Sequence, residues 1–229
     1  MSNKITWYGH SALSLETGDY HILLDPYLSK NPASKTSAES VEADFIMVTH
    51  GHYDHIGDTV EIAKRTGAMV ICNFEISNWL EERGVSTHAQ HLGGGYQYPF
   101  GYVKLTLAFH GSGLPDGSYG GTPAGFLVYT NDGKKLYFAG DTALFSDMKL
   151  IGDAGLDLAV LPVGDNFTMG PDDAFKAVQF LHPKHVIPVH YDTWELIRQD
   201  LRAWVARVQS GTDTQVHRLE VGESFTLPE

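Results

Sequence analysis

Thr49-His50-Gly51-His52-Tyr53-Asp54-His55 follows the apolar run Phe45-Ile46-Met47-Val48 and leads into a stretch of helical character. Three imidazoles and one carboxylate within six residues are hard to justify as packing. Side chains two apart in an extended segment project the same way, so His50 and His52 can grip one ion as a pair. Asp54 and His55, at the turn into the helix, then point toward a neighbouring position. Gly51, without a Cβ, lets the backbone bend tightly enough for both pairs to converge. A centre with open coordination needs further ligands, and strand ends on a rigid sheet aim them best. Three residues stand at such ends: His110 after the alternating run 103–109, Asp141 after Leu136-Tyr137-Phe138-Ala139-Gly140, and His190 after Val186-Ile187-Pro188-Val189.

The rest of the composition narrows the setting. Of 229 residues, 42% are apolar or aromatic and 19% charged, which excludes disorder and collagen-like composition. No apolar run approaches the roughly 18 residues that cross a bilayer. The opening Met1-Ser2-Asn3-Lys4-Ile5-Thr6-Trp7-Tyr8 lacks the apolar core of a signal peptide, so a cytoplasmic location with no membrane partner is expected. The lone Cys72 rules out an internal disulfide and, within Met69-Val70-Ile71-Cys72, reads as a buried thiol. Sixteen basic against 28 acidic residues give a net charge of −12, which repels nucleic-acid backbones and anionic lipid. Twelve histidines are the anomaly, about twice ordinary usage.

Periodicity predicts strands over 4–9, 12–16, 20–25, 44–49, 68–73, 103–109, 124–130, 134–139, 156–163, 184–190 and 216–221. Asn131-Asp132-Gly133 marks a hairpin. Helices are expected at 59–66, at 75–83, from Pro171 with Ala174, Ala177, Val178 and Leu181 on one face, and on Ile197, Leu201, Trp204, Val205 and Val208. Hairpins followed by strand–helix alternation, twice over, suggest two mixed sheets packed face to face with helices outside. No linker divides the chain, so a single domain over residues 1–229 is expected. Asn31 to Ser40 and Gly111 to Gly121 are the long polar loops. Asp25 is a candidate partner of a ligand imidazole, and Asn166 and Thr168 are candidates for lining the site or capping a helix. His182 and His185 read as surface residues, and His21, His88, His91 and His217 as structural ones. Gly93-Gly94-Gly95 lacks the Lys-Ser/Thr of a phosphate-cradling loop.

His50-Gly51-His52-Tyr53-Asp54-His55 resembles the H-x-H-x-D-H signature of the metallo-β-lactamase superfamily. Gly9-His10-Ser11, Leu24-Asp25-Pro26, Ala139-Gly140-Asp141-Thr142, Phe167-Thr168-Met169-Gly170-Pro171 and Val186-Ile187-Pro188-Val189-His190-Tyr191 resemble a branch of uncharacterised metal-dependent hydrolases related to the L-ascorbate-6-phosphate lactonases. The resemblance runs from about Ile5 to Glu223. It implies an α/β (α+β) fold, a four-layer αββα sandwich with metals at one edge of the sheets. It gives His50, His52 and His110 to one metal and Asp54, His55 and His190 to a second, with Asp141 bridging. It also marks Asp54 and His10 as catalytic, His10 as a proton donor or a hydrogen bond to substrate.

Two divalent ions about 3.5–4 Å apart hold a hydroxide between them and lower its pKa toward neutrality. Two dications facing two carboxylates and one hydroxide keep one net positive charge, which draws an anionic group on an otherwise acidic protein. Imidazole and carboxylate ligands suit zinc first and manganese next, then iron or nickel. The expected activity is hydrolysis of a small anionic ester, most of all a phosphodiester. The alternatives are a lactonase, including phosphorylated lactones, and a non-catalytic metal-dependent sensor of a small ligand. Related lactonase-like proteins can form homo-oligomers, an expectation the resemblance carries here.

Overall fold

Alternation builds the first sheet. A computed structural model describes residues 2–228, with Met1 and Glu229 outside them. β1 (Asn3–Gly9), β2 (Ala12–Thr17) and β3 (Tyr20–Leu24) run antiparallel, and β4 (Phe45–Met47), β5 (Met69–Asn73) and β6 (Thr87–Gln90) continue from β3 in parallel. Ile5, Trp7, Leu13, Leu15, Ile22, Leu24, Met47 and Ile71 pack into the core shared with the second sheet. Their neighbours Leu23, Ile46, Val48, Val70 and Cys72 pack the other way, against Ile62 and Ala63 of α2 (Thr59–Thr66) and Ile76 and Leu80 of α3 (Phe74–Glu81). The period of two in the sequence thus becomes two buried faces.

The second sheet begins with β7 (Gly95–Tyr98), β8 (Gly101–Leu107), β9 (Ala124–Thr130) and β10 (Lys135–Phe138), all antiparallel. β11 (Leu158–Pro162), β12 (His185–Val189) and β13 (Gln215–Val216) extend it in parallel from β10. α4 (Met148–Gly152), α5 (Pro171–Leu181) and α6 (Leu201–Gly211) cover its outer face, with Ala174, Ala177, Val178, Leu181, Trp204 and Val208 buried. β14 (Ser224–Thr226) crosses back to pair with β1, so seven strands stand on each side. The result is the expected four-layer αββα arrangement of two mixed sheets. No helix among the described residues is long and apolar enough to cross a membrane.

Several expectations shift. The helix on Ile197 to Val208 divides: Glu195–Ile197 is a short 3-10 turn, and the helix starts at Leu201. The Asp200 carboxylate fixes that start by accepting from the backbone N–H groups of Arg202 and Ala203. The expected strand 216–221 shrinks to the end of β13, and the chain then returns to the other sheet. β6, β7, α4 and β14 were not expected. The hairpin at Asn131-Asp132-Gly133 is present, with Gly133 at φ +86 and its N–H donating to Thr130 at 2.9 Å.

His185 is not a surface residue: it is buried, with Nδ1 3.0 Å from Nε2 of His217. Burial lowers the pKa of His185, and burial with the neighbouring His185 pushes His217 down to about 4. Unfolded imidazoles take up protons near pH 6.5, so between there and about pH 4 the unfolded chain binds more protons than the folded one. This contribution to stability is complete above the unfolded value and is lost as pH falls through that window. Melting curves of metal-free protein should show Tm falling less steeply with acid in His217→Asn than in the parent. Parallel curves would show that the pair contributes nothing.

Candidate metal centre

The site residues sit where strands stop. His10, Asp25 and His190 each directly follow a strand, β1, β3 and β12, and adopt φ of 55°, 43° and 56°. His and Asp enter this left-handed region more readily than most residues, at about 1–3 kcal/mol each. The conformation turns each side chain off the sheet end. Asp141 follows β10 through Gly140, whose φ is +61 and whose added Cβ would lie 2.8 Å from Thr49 Cβ, so only glycine fits. His50 and His52 lie in the segment after β4, Asp54 and His55 on α1 (Tyr53–Ile56), and His110 beyond β8. Two backbone bonds join the sheets here, from His190 N–H to the His10 carbonyl and from Ala124 N–H to the Thr49 carbonyl, both 3.0 Å.

All seven expected ligands come together. His50 Nε2 lies 3.0 Å and His110 Nε2 3.2 Å from His52 Nδ1, a nest of three ring nitrogens. His10, Asp54, His55 and His190 form a second group able to converge on one ion. Asp141 stands between them, with Oδ2 3.1 Å from His190 Nε2, 3.3 Å from His55 Nε2 and 3.5 Å from His110 Nε2.

Neighbouring groups set which nitrogens are free. The Thr49 hydroxyl donates to Asp25 Oδ2 at 2.6 Å, so the contact of its oxygen with His50 Nδ1 at 3.0 Å is donated by the imidazole. Burial pushes the His50 pKa well down, and its neutral ring therefore keeps Nε2 as a bare lone pair. His55 Nδ1 meets Asp25 Oδ2 at 2.7 Å, which directs His55 Nε2 inward. Burial opposes a charge on His55, but the carboxylates of Asp141 and Asp25 outweigh it and hold its pKa well above the ordinary value. Burial likewise opposes ionisation of Asp141, yet His190 and His55 hold it well below the usual carboxylate range.

Asp141 Oδ1 is buried without a hydrogen-bond partner, and His55 Nε2 has only the ion-pair contact with Asp141 Oδ2 at 3.3 Å. Buried polar atoms are rarely left so. Together with the facing nitrogens of His50, His52 and His110, they form a donor set that fits divalent transition metals.

His10 is fully buried, its Nε2 3.1 Å from Asp54 Oδ2 and its Nδ1 2.9 Å from the Thr193 hydroxyl. Burial outweighs the hydrogen bond to Asp54 and lowers its pKa to about 4, so the ring is neutral. Burial raises the pKa of Asp54, but the hydrogen bond from His10 and nearby imidazoles bring it down to about 2. Gly51 does not adopt a positive φ; a Cβ there would crowd the Leu114 side chain, 3.0 Å from its Cδ2. The Gly51 N–H donates to Ser112 Oγ, a brace on the ligand segment that sequence reasoning missed.

A cavity of about 450 Å³ opens over the centre, lined by His52, Asp54, His110, Asp141 and His190 and by Tyr53, Phe167, Trp194 and Leu196. Phe167 faces it, whereas its neighbours Asn166 and Thr168 do not line it, and α5 carries no side-chain cap from Thr168. A larger depression near Lys184 and Thr214 lies at the other end of β12, away from every candidate ligand. Asp25→Asn should lower metal affinity about 10–100-fold, as loss of a ligand's partner does, without unfolding the protein. Metal titration of the variant checks this, and parental affinity would remove Asp25 from the centre.

Residues 20–191 match the β-lactamase superfamily domain. A UPF0173 metal-dependent hydrolase of Bacillus cytotoxicus is 50% identical over 230 residues, covering 98% of this chain and all of the relative. Igni18, a metallo hydrolase from the archaeon Ignicoccus hospitalis, is 36% identical with a TM-score of 0.92, covering 100% of both chains. The metallo-β-lactamase fold protein YhfI of Bacillus subtilis shares the fold at 14% identity and a TM-score of 0.76, over 99% of this chain and all of that one. The strand-end histidines and carboxylates thus belong to a metal-dependent hydrolase, and the chain is a member of the β-lactamase superfamily, among its UPF0173 proteins.

Proposed function

We propose that this metal-dependent hydrolase cleaves a small anionic ester, a phosphodiester first and a lactone second, with two divalent cations. His50, His52 and His110 would hold one cation, and Asp54, His55 and His190 the other, with Asp141 shared. Zinc is the first candidate and manganese the second. When bound, the pair supplies Lewis acidity and a water ionised near neutral pH. The observation that carries this reading is Asp141 Oδ2 within 3.5 Å of imidazoles from both groups, beside buried atoms that nothing else satisfies.

The chain's own residues supply position. Asp25 and Thr49 fix the rings of His55 and His50. His10, neutral and buried, donates its Nε2–H to Asp54 and so orients that carboxylate, with Thr193 steadying Nδ1. His10→Gln keeps a hydrogen-bond donor for Asp54 and His10→Ala does not, so metal titration should show affinity falling about 10–100-fold in the alanine variant and little in the glutamine one. Elemental analysis, with turnover of bis-p-nitrophenyl phosphate and of lactones in zinc or manganese, tests the whole reading. Two ions per chain and metal-dependent turnover are expected; no metal-dependent turnover of either substrate class would overturn it.

A further inference from the structure

The walls above the centre differ in chemistry from its floor. Every charged or imidazole side chain lining the cavity is also a candidate ligand, and among the described residues no lysine or arginine lines it. The remaining lining is Tyr53, Phe167, Trp194 and Leu196. Tyr53, Phe167 and Leu196 are 57%, 52% and 67% exposed. They come from three separate segments: α1, the loop after β11 and the loop after β12. Their convergence over one cluster of ligands is not the scattered exposure of single apolar residues that needs no explanation.

These walls are built rather than loose. Asp165 and Asn166 both adopt positive φ, 61° and 54°, and the Asp165 N–H donates to the Met169 carbonyl. That tight turn thrusts Phe167 outward. Trp194 packs edge-on to His10, with ring centroids 4.7 Å apart. Asp192, at φ 57°, donates its N–H to the Ile197 carbonyl and accepts from Gln199 N–H, which holds the loop carrying Leu196. A sugar or nucleotide would bring many polar atoms to this wall and lose their hydration without replacement. An alkyl or aryl group would gain by leaving water there.

We propose that the substrate is amphiphilic: its scissile ester lies over Asp54, Asp141 and His190, and an alkyl or aryl group lies against Tyr53, Phe167, Trp194 and Leu196. This rests on the hydrolase reading above and adds the substrate class. The 450 Å³ cavity has room for on the order of 15 non-hydrogen atoms at roughly 30 Å³ for each water-sized group.

Two series of probes test it on the metal-loaded protein. One is methyl, butyl and hexyl p-nitrophenyl phosphate, read as kcat/KM. The other is methyl- to hexylphosphonate, read as Kd by calorimetry, which requires no turnover. Each added methylene should raise kcat/KM and tighten Kd about fourfold until the cavity is full. The double variant Phe167→Ser with Leu196→Ser, both exposed positions, should bind the same amount of metal and lose most of the dependence on chain length. A flat series in the parent, or an undiminished slope in the variant, overturns the proposal. Turnover of the esters with no chain-length preference sinks this inference and leaves the hydrolase reading standing. Phosphonate affinity that climbs with chain length while no ester is cleaved does the reverse.

Discussion

Asp141→Ala is expected to lose both metals and essentially all turnover, more than any other single substitution at the centre. Its Oδ2 lies within 3.5 Å of nitrogens on His55, His110 and His190. Those imidazoles come from both ligand groups, so one truncation strips each group of a partner. The loss of affinity should exceed the roughly 10–100-fold that follows removal of an outer partner. Asp141 is also the buried anion that the surrounding imidazoles hold in its charged form. Without it, His55 loses its strongest counter-charge and keeps Asp25, with Asp54 nearby. Metal content by elemental analysis and turnover of the loaded variant measure both effects. Two retained equivalents with parental activity would place the shared ligand elsewhere.

Chelation should lower Tm substantially, because the candidate ligands belong to different sheets. His50, His52, Asp54 and His55 follow strands of the first sheet, and His110, Asp141 and His190 follow strands of the second. A cation that binds only the folded chain at 100 times its Kd adds about 2.7 kcal/mol. For a chain of this size that is about 5–11 °C in Tm. Calorimetric melts with and without chelator, then with zinc or manganese restored, check the figure. Identical melts would show that no ion spans the sheets.

Much of this was legible because the chemistry sits at the ends of strands that the sequence marks plainly. The apolar run before Thr49 placed His50 and His52, and the runs before His110, Asp141 and His190 placed the others. Helix 59–66 agrees residue for residue, since its apolar stripe and Gly67 leave little choice. Failures fall where tertiary partners decide. β6 and β7 lack strong alternation and are strands because β5 and β8 supply their hydrogen bonds. Ile197 has helical spacing to Leu201, but the Asp200 cap restarts the helix after it. Asp25 was visible only as a candidate, although a carboxylate directly after a strand and before Pro26 carried the signal. Phe167, Trp194 and Leu196 were not legible as walls, since loop conformation alone decides whether they are buried or exposed.

The two backbone bonds from His190 to His10 and from Ala124 to Thr49 are the seam where the sheets meet beside the ligands. Behind that seam the separation of the sheets is set by core side chains such as Phe126, Leu15 and Leu105. The bite of the centre is therefore dictated by the thickness of the core, as the gap of a caliper is by its frame. Ionic radius, and with it the preference between one cation and another, becomes adjustable from the interior without exchanging a single ligand.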